Sequence, residues 1–191
     1  MPLVNYYLPT TVKVDGIERA IRSDYRAALD VCIAMQDDEL KDYDKIAVVL
    51  DILYSEIIEP QLYTEALAQA LNFLSCGTDD KQAQNIQTKT TDLIFWQFDF
   101  DIFVPALNRV AGRDIRGMEY LHWWSFVSMF QEIGDCFFSR VMAIREAKST
   151  GRKLTDEEKA FWKKHKDTID PRLRQMRARD LDFMRDMQII R

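Results

Sequence analysis

Met118-Glu119-Tyr120-Leu121-His122-Trp123-Trp124-Ser125-Phe126-Val127-Ser128-Met129-Phe130 is the stretch that decides how this chain folds. Polar residues recur at positions 122, 125, 128, 131, 132 and 135, and apolar residues fill the rest. On a helix that pattern leaves well over half of the circumference apolar. Such a helix belongs at the centre of a core. The expected fold is therefore mainly α, a bundle of about seven or eight helices around this segment. Gly134 ends or bends the helix.

Upstream, Asp92–Val110 reads as a helix with Phe95, Ile102, Phe103, Ala106, Leu107 and Val110 inward. Phe98-Asp99-Phe100-Asp101 alternates as a short strand would, but the flanking spacing favours helix. Pro105 should kink it, and Ala111-Gly112-Arg113-Asp114 should end it. The core predicted from these two segments is Trp96, Phe103, Leu121, Trp123, Trp124, Phe126 and Phe130.

Downstream, Phe137, Val141 and Ile144 carry a helix to Lys148. Thr155-Asp156-Glu157-Glu158 has the form of a capping box, with Thr155 as N-cap and Glu158 at N3. That helix carries Phe161, Trp162 and His165. Asp170-Pro171 resets the chain into a last helix through about Gln188. Its apolar face is Leu173, Met176, Leu181, Met184 and Met187, beside a run of arginines that includes Arg177 and Arg185.

At the other end, Thr11-Val12-Lys13-Val14 and Ile17-Glu18-Arg19-Ala20-Ile21 flank Asp15-Gly16. A two-residue Asp-Gly link favours a type I′ turn, so a short N-terminal β-hairpin is expected, with Val12, Val14, Ile17 and Ile21 as its apolar set. Two strands alone are marginal. The hairpin must lie on the helical body or pair with another chain. Ser23 reads as the N-cap of a first helix to about Asp38. Ile46, Val49, Leu50, Leu53 and Ile57 form the stripe of a second. Pro60 opens a third, with Tyr63, Leu67, Ala70, Leu71 and Leu74 inward and Gly77 as the C′ stop. The organisation expected is 1–76 as hairpin plus helices, 77–88 as a polar loop, and 89–191 as a helical part packing with the first.

The chain has 191 residues and a net charge of −5, unevenly placed. Residues 1–139 hold 11 Lys/Arg against 22 Asp/Glu, and residues 140–191 hold 15 against 9. A basic quarter on an acidic body points to a polar partner, or to an electrostatic contact between the halves. Cys32, Cys76 and Cys136 form no CxxC pair, and read as small buried residues of a reduced protein. The start of the chain carries no secretory pattern, and no apolar run approaches the ~20 residues of a membrane helix.

No catalytic, cofactor-binding or metal-binding motif is present, so no enzyme activity and no cofactor is expected. His122 and His165 lack ligand spacing with the cysteines or with each other. His122 reads as a polar edge of the core helix and His165 as a surface residue. Asp99 and Asp101 point roughly opposite ways on a helix, and read as exposed or helix-pairing acids. The terminal stripe could be core or a docking face for another helix. The partner-binding set expected on that face is Leu173, Met176, Arg177, Leu181, Met184, Arg185 and Met187.

Several stretches resemble one family. Val12-Lys13-Val14-Asp15-Gly16, Ile21, and Ser23-Asp24-Tyr25-Arg26-Ala27-Ala28-Leu29 are similar to its opening. Phe98-Asp99-Phe100-Asp101-Ile102-Phe103 is similar to its acidic-aromatic helix. Leu121-His122-Trp123-Trp124-Ser125-Phe126 is similar to its core motif, and Arg140, Ile144 and Arg145 to its arginine-bearing helix. This is the bacteriophage "gene product fifteen" family of siphovirus and prophage tail modules. The resemblance implies a tail assembly chaperone in the host cytoplasm. Its partner would be the tape measure protein, with other tail assembly proteins also possible clients. It would act as a homo-oligomer or as multiple copies on that partner, away from membranes. The alternatives are a structural tail or connector component of the virion, and a small nucleic-acid-binding regulator using the basic C-terminal helix. The acidity of the whole chain argues against nucleic acid as a partner.

Overall fold

The hairpin is where the sequence predicts it, and the first helices are built against it. In the computed structural model, which describes residues 7–77 and 93–171, β1 (Thr11–Val14) pairs antiparallel with β2 (Ile17–Ala20), Val14 opposite Ile17. Asp15 and Gly16 have φ of 50° and 73°, the type I′ geometry that their short or absent side chains permit. The sheet has no third strand among the described residues. The chain after the second helix meets the outer edge of β2 instead: Ser55 N–H donates to the Ala20 carbonyl and Arg22 N–H to that of Leu53. Val14 and Ile21 are buried, but Ile17 faces outward.

Seven further helices follow α1 (Tyr25–Gln36) among the described residues: α2 (Asp42–Leu53), α3 (Tyr63–Leu74), α4 (Trp96–Ala111), α5 (Trp123–Gln131), α6 (Phe137–Ser149), α7 (Asp156–Lys164) and α8 (Lys166–Ile169). The chain is mainly α with one short hairpin, as its patterning implies. None of these helices is long and apolar enough to cross a membrane. The fold divides into two units, residues 1–92 with 104–134, and residues 93–103 with 135–191.

In the first unit α1 packs on α2, α2 on α3, and α3 on β1. Val31 and Ala34 of α1, Val49, Leu50 and Leu53 of α2, and Ala66, Ala70 and Phe73 of α3 are buried. The α3 face is thus turned from the predicted one, and Leu71 is exposed. Two alanines on the buried stripe let the helix backbone approach its neighbours closely, and Tyr54 uses that approach to donate its hydroxyl to the Ala66 carbonyl at 2.8 Å.

Several predicted boundaries move, each for a local reason. The N-cap of α1 is Asp24, whose carboxylate accepts the Arg26 N–H, so Ser23 lies one residue outside. Helix α2 stops at Leu53, and Ile57 beyond it is 90% exposed. Pro60 opens a 3-10 turn, with α3 beginning at Tyr63. At the end of α3, Cys76 takes the left-handed C′ position (φ 60°) and Gly77 is C″, its N–H reaching the Asn72 carbonyl at 2.9 Å. That is a Schellman ending shifted by one residue. Helix α4 begins at Trp96, runs through Phe98–Asp101, and contains Pro105. The stretch 118–122 is not helical; α5 starts only at Trp123.

In the second unit Val141, Ile144 and Ile169 form a buried cluster, with Ile102, Leu154, Phe161 and Trp162 packed around it. Phe103 meets Trp96, Phe100 and Phe138 edge-on, at centroid distances of 6.1, 5.5 and 5.5 Å. The capping box of α7 is formed: Thr155 Oγ1 accepts the Glu158 N–H, and Glu158 accepts the Thr155 N–H. Arg152 adds two hydrogen bonds to the same carboxylate, at 2.8 and 3.1 Å.

The Arg152 guanidinium, with the Thr155 N–H, holds the Glu158 carboxyl down to about 2, from 4.5. A carboxyl depressed in the folded state stabilises above its unfolded value and loses that contribution as pH falls through the folded one. Thermal melts between about pH 5 and about pH 2 should therefore show a steeper loss of Tm in the parent than in Glu158→Gln. Equal slopes would refute the assignment.

Candidate functional site

The residues that carry the sequence motifs converge at two places, one in each unit. In the first unit the chain before α1 and the chain before α5 run antiparallel as a single bridge, Asp24 opposite His122. Tyr25 N–H donates to the Leu121 carbonyl and Trp123 N–H to that of Ser23, both at 2.8 Å. Two helix N-termini are thereby set side by side. Their unpaired N–H groups and positive dipole ends call for acceptors.

Asp24 and His122 supply them. One Asp24 oxygen accepts the Arg26 N–H and the other accepts the Leu121 N–H, each at 3.0 Å. Arg26 closes on the same carboxylate and also donates to the Met118 carbonyl at 2.6 Å. His122 Nδ1 accepts the Trp124 N–H at 3.0 Å, and its Nε2 lies 2.9 Å from the Pro9 carbonyl. A backbone N–H only donates and a carbonyl only accepts. Nδ1 is therefore bare and Nε2 carries the proton. Ser23, moved off the cap, pairs its hydroxyl with that of Tyr120 at 2.7 Å.

The tryptophans serve a third helix end. Trp123 Nε1 donates to the Leu74 carbonyl at 2.9 Å, and Trp124 Nε1 to the Phe73 carbonyl at 2.8 Å. These are terminal carbonyls of α3; that of Phe73 also accepts the Cys76 N–H at 3.0 Å in the capping turn, and Trp124 adds a second donor. The rings then stack inward: Tyr25 on Phe126 at 5.0 Å, Trp123 on Phe126 at 5.3 Å, and Phe126 on Phe130 at 6.3 Å. Leu121, His122, Trp123 and Phe126 are buried, and Trp124 and Phe130 half-buried. This motif joins three helix ends, and its polar atoms are spent inside the fold.

In the second unit Asp99 and Arg145 form an ion pair with side chains 1% and 5% exposed. The pairing is bidentate. Asp99 also accepts the Phe95 N–H at 2.8 Å. Arg145 donates to the carbonyls of Ile169, Leu93 and Thr168 at 2.8, 2.7 and 2.8 Å, and its guanidinium lies 4.8 Å from the centre of the Phe95 ring. Asp101, two residues on, is exposed, as the helical spacing requires. Reading the sequence alone missed this pair. The available signal was one unlike charge on each of two apolar stripes, Asp99 with Phe103 and Leu107, and Arg145 with Val141.

The same unit carries a basic aromatic surface. Arg140 sits 4.5 Å over the Phe161 ring, and Lys148 and Lys166 sit 4.8 and 5.9 Å from Trp162. His165, the residue that ends α7, packs against Phe161 and Phe137 at 4.6 and 5.0 Å. Trp96 and Phe103 are half-buried and fully buried within the same unit. The three cysteines are free and half-buried, and burial raises the Cys32 thiol to about 12. Among the described residues no three His, Cys, Asp or Glu side chains gather as metal ligands would. Leu173, Met176, Arg177, Leu181, Met184, Arg185 and Met187 lie outside the described residues, as does most of the polar stretch 77–88.

Residues 4–170 match the family model described as bacteriophage Gp15 protein. That span includes every motif brought together here. No curated protein and no solved structure matches the chain.

Two outcomes follow from this geometry. Arg145→Met leaves a buried carboxylate and three carbonyls without their donor, and should cost about 3–5 kcal/mol in urea unfolding. Asp99→Asn should cost clearly less, because Arg145 keeps its carbonyl acceptors; the reverse order would disprove the account. His122→Ala loses the cap and the Pro9 contact and should cost about 2 kcal/mol, whereas His122→Asn keeps a capping acceptor and should recover about half. Equal losses would show that His122 does not act as a cap.

Proposed function

This chain belongs to the bacteriophage Gp15 protein family, and we propose that it is a tail assembly chaperone that binds the tape measure protein during siphovirus tail morphogenesis. The observation that carries the reading is the family match over residues 4–170, nearly the whole chain. The physical demands of the role agree with it. A tape measure protein is a long apolar helical chain, which must stay soluble until tube subunits assemble around it. A chaperone for it needs adaptable apolar contacts and a charged exterior.

The acidic residues 1–139 supply repulsion between coated complexes. Ile57, Tyr43 and Tyr120, at 90%, 68% and 53% exposure, place large apolar groups at the surface. The terminal stripe of Leu173, Met176, Leu181, Met184 and Met187, with Arg177 and Arg185, is the proposed docking face. Methionines adapt to apolar partners without a strict sequence demand. The proposed setting is the host cytoplasm, with multiple copies on each client.

Co-expression tests this. The tape measure protein should become soluble and co-purify with this chain, and Met184→Asp with Met187→Asp should abolish both effects. A tape measure protein equally insoluble with and without the chain would overturn the reading. Mass spectrometry of purified virions should find the protein absent. A defined copy number there would favour a structural tail component.

A further inference from the structure

In the second unit three cations rest on aromatic rings in place of carboxylates. Arg140 lies over Phe161, and Lys148 and Lys166 lie by Trp162. All three cations are exposed. Among the described residues the ion pairs of this unit involve other cations, Arg145, Arg152 and Lys159. A ring attracts a cation through its quadrupole and leaves its charge in place. The rings therefore hold these side chains in position while the charge stays available to an outside carboxylate, which lowers the ordering cost of binding. Phe137, 38% exposed, adds an apolar edge to the same cluster through its contacts with Phe161 and His165.

The complementary chemistry is on the first unit. Between residues 37 and 45 the chain has five acids, Asp37, Asp38, Glu39, Asp42 and Asp44, against two lysines. All five acids are exposed. Tyr43 stands among them, 68% exposed. Asp42 and Asp44 lie in the first turn of α2, where the helix dipole favours negative charge. An acidic turn with an aromatic side chain fits a basic face with an exposed phenylalanine edge.

We infer that the basic aromatic face of α6–α8 binds the acidic α1–α2 turn of a second copy of this chain. The two surfaces differ, so the contact is heterologous: a bound pair still offers one free turn on one copy and one free face on the other. Association through such a contact runs from copy to copy until a ring closes, and falls as salt screens the charges. The inference concerns the chain alone, so it stands or falls independently of which tail component is the client.

The test is the mass of the full chain in solution by light scattering, at low and high salt. At low salt the mass should exceed the monomer's 22.5 kDa and rise with concentration, and high salt should return it to the monomer. Lys148→Glu with Lys166→Glu should be monomeric at low salt, and so should Asp38→Lys with Asp42→Lys. Mixing the two variants should restore association, because each supplies the charge that the other has reversed. Restoration also shows that both variants are folded. Lys148→Gln with Lys166→Gln, which removes charge without reversing it, should weaken association by ~3- to 10-fold. A monomer at every salt concentration overturns the inference. So does association that neither reversal disturbs, which would place the contact elsewhere. A mixture that stays monomeric while Lys148→Gln with Lys166→Gln associates like the parent also overturns it.

Discussion

A helix that ends against other helices leaves as many as four N–H or C=O groups without intrahelical partners, and water cannot reach them all. This protein is made of short helices, so it has many such ends for its length. Its most distinctive residues are spent on them. Asp24 accepts from the starts of α1 and of the chain leading into α5, His122 caps α5, and Trp123 and Trp124 donate to the last carbonyls of α3. The tryptophans and one Asp24 oxygen belong to one element and satisfy another, whereas His122 and the other Asp24 oxygen cap their own helices. That fixes the order in which the elements meet.

The second unit solves the same problem with a charge. Arg145 gathers three carbonyls from two separate stretches of chain and a carboxylate from α4. A buried ion pair gains little over an apolar pair of the same shape. Its value here is geometric: the guanidinium has five donors in a fixed plane, and only one arrangement of Leu93, Asp99, Thr168 and Ile169 can use them.

The hairpin was legible because its signal is local. Asp15-Gly16 permits a backbone that few other pairs permit, and the flanking alternation needs no tertiary help. The capping box at Thr155 and Glu158 was legible for the same reason. The start of α5 was not. Met118–His122 has the apolar content of a core helix, but its backbone is committed to pairing with Ser23–Tyr25, more than 90 residues away, and no periodicity within one segment reports that. The face of α3 was misjudged similarly: Ala66 and Ala70 are buried because small side chains suit a close crossing, and hydrophobicity alone ranks leucine above them.

The helical class, the hairpin, the uneven charge and the family follow from composition, short-range spacing and motif, all of which are local properties of the chain. What the motif residues do depends on the folded arrangement around them. His122 became the cap of its own helix, the tryptophan pair became donors to the end of α3, and Asp99 became the partner of Arg145 46 residues on. Hydrogen bonds and ion pairs of that kind form between groups that only the fold brings within 3 Å, so their identity is a property of the folded chain.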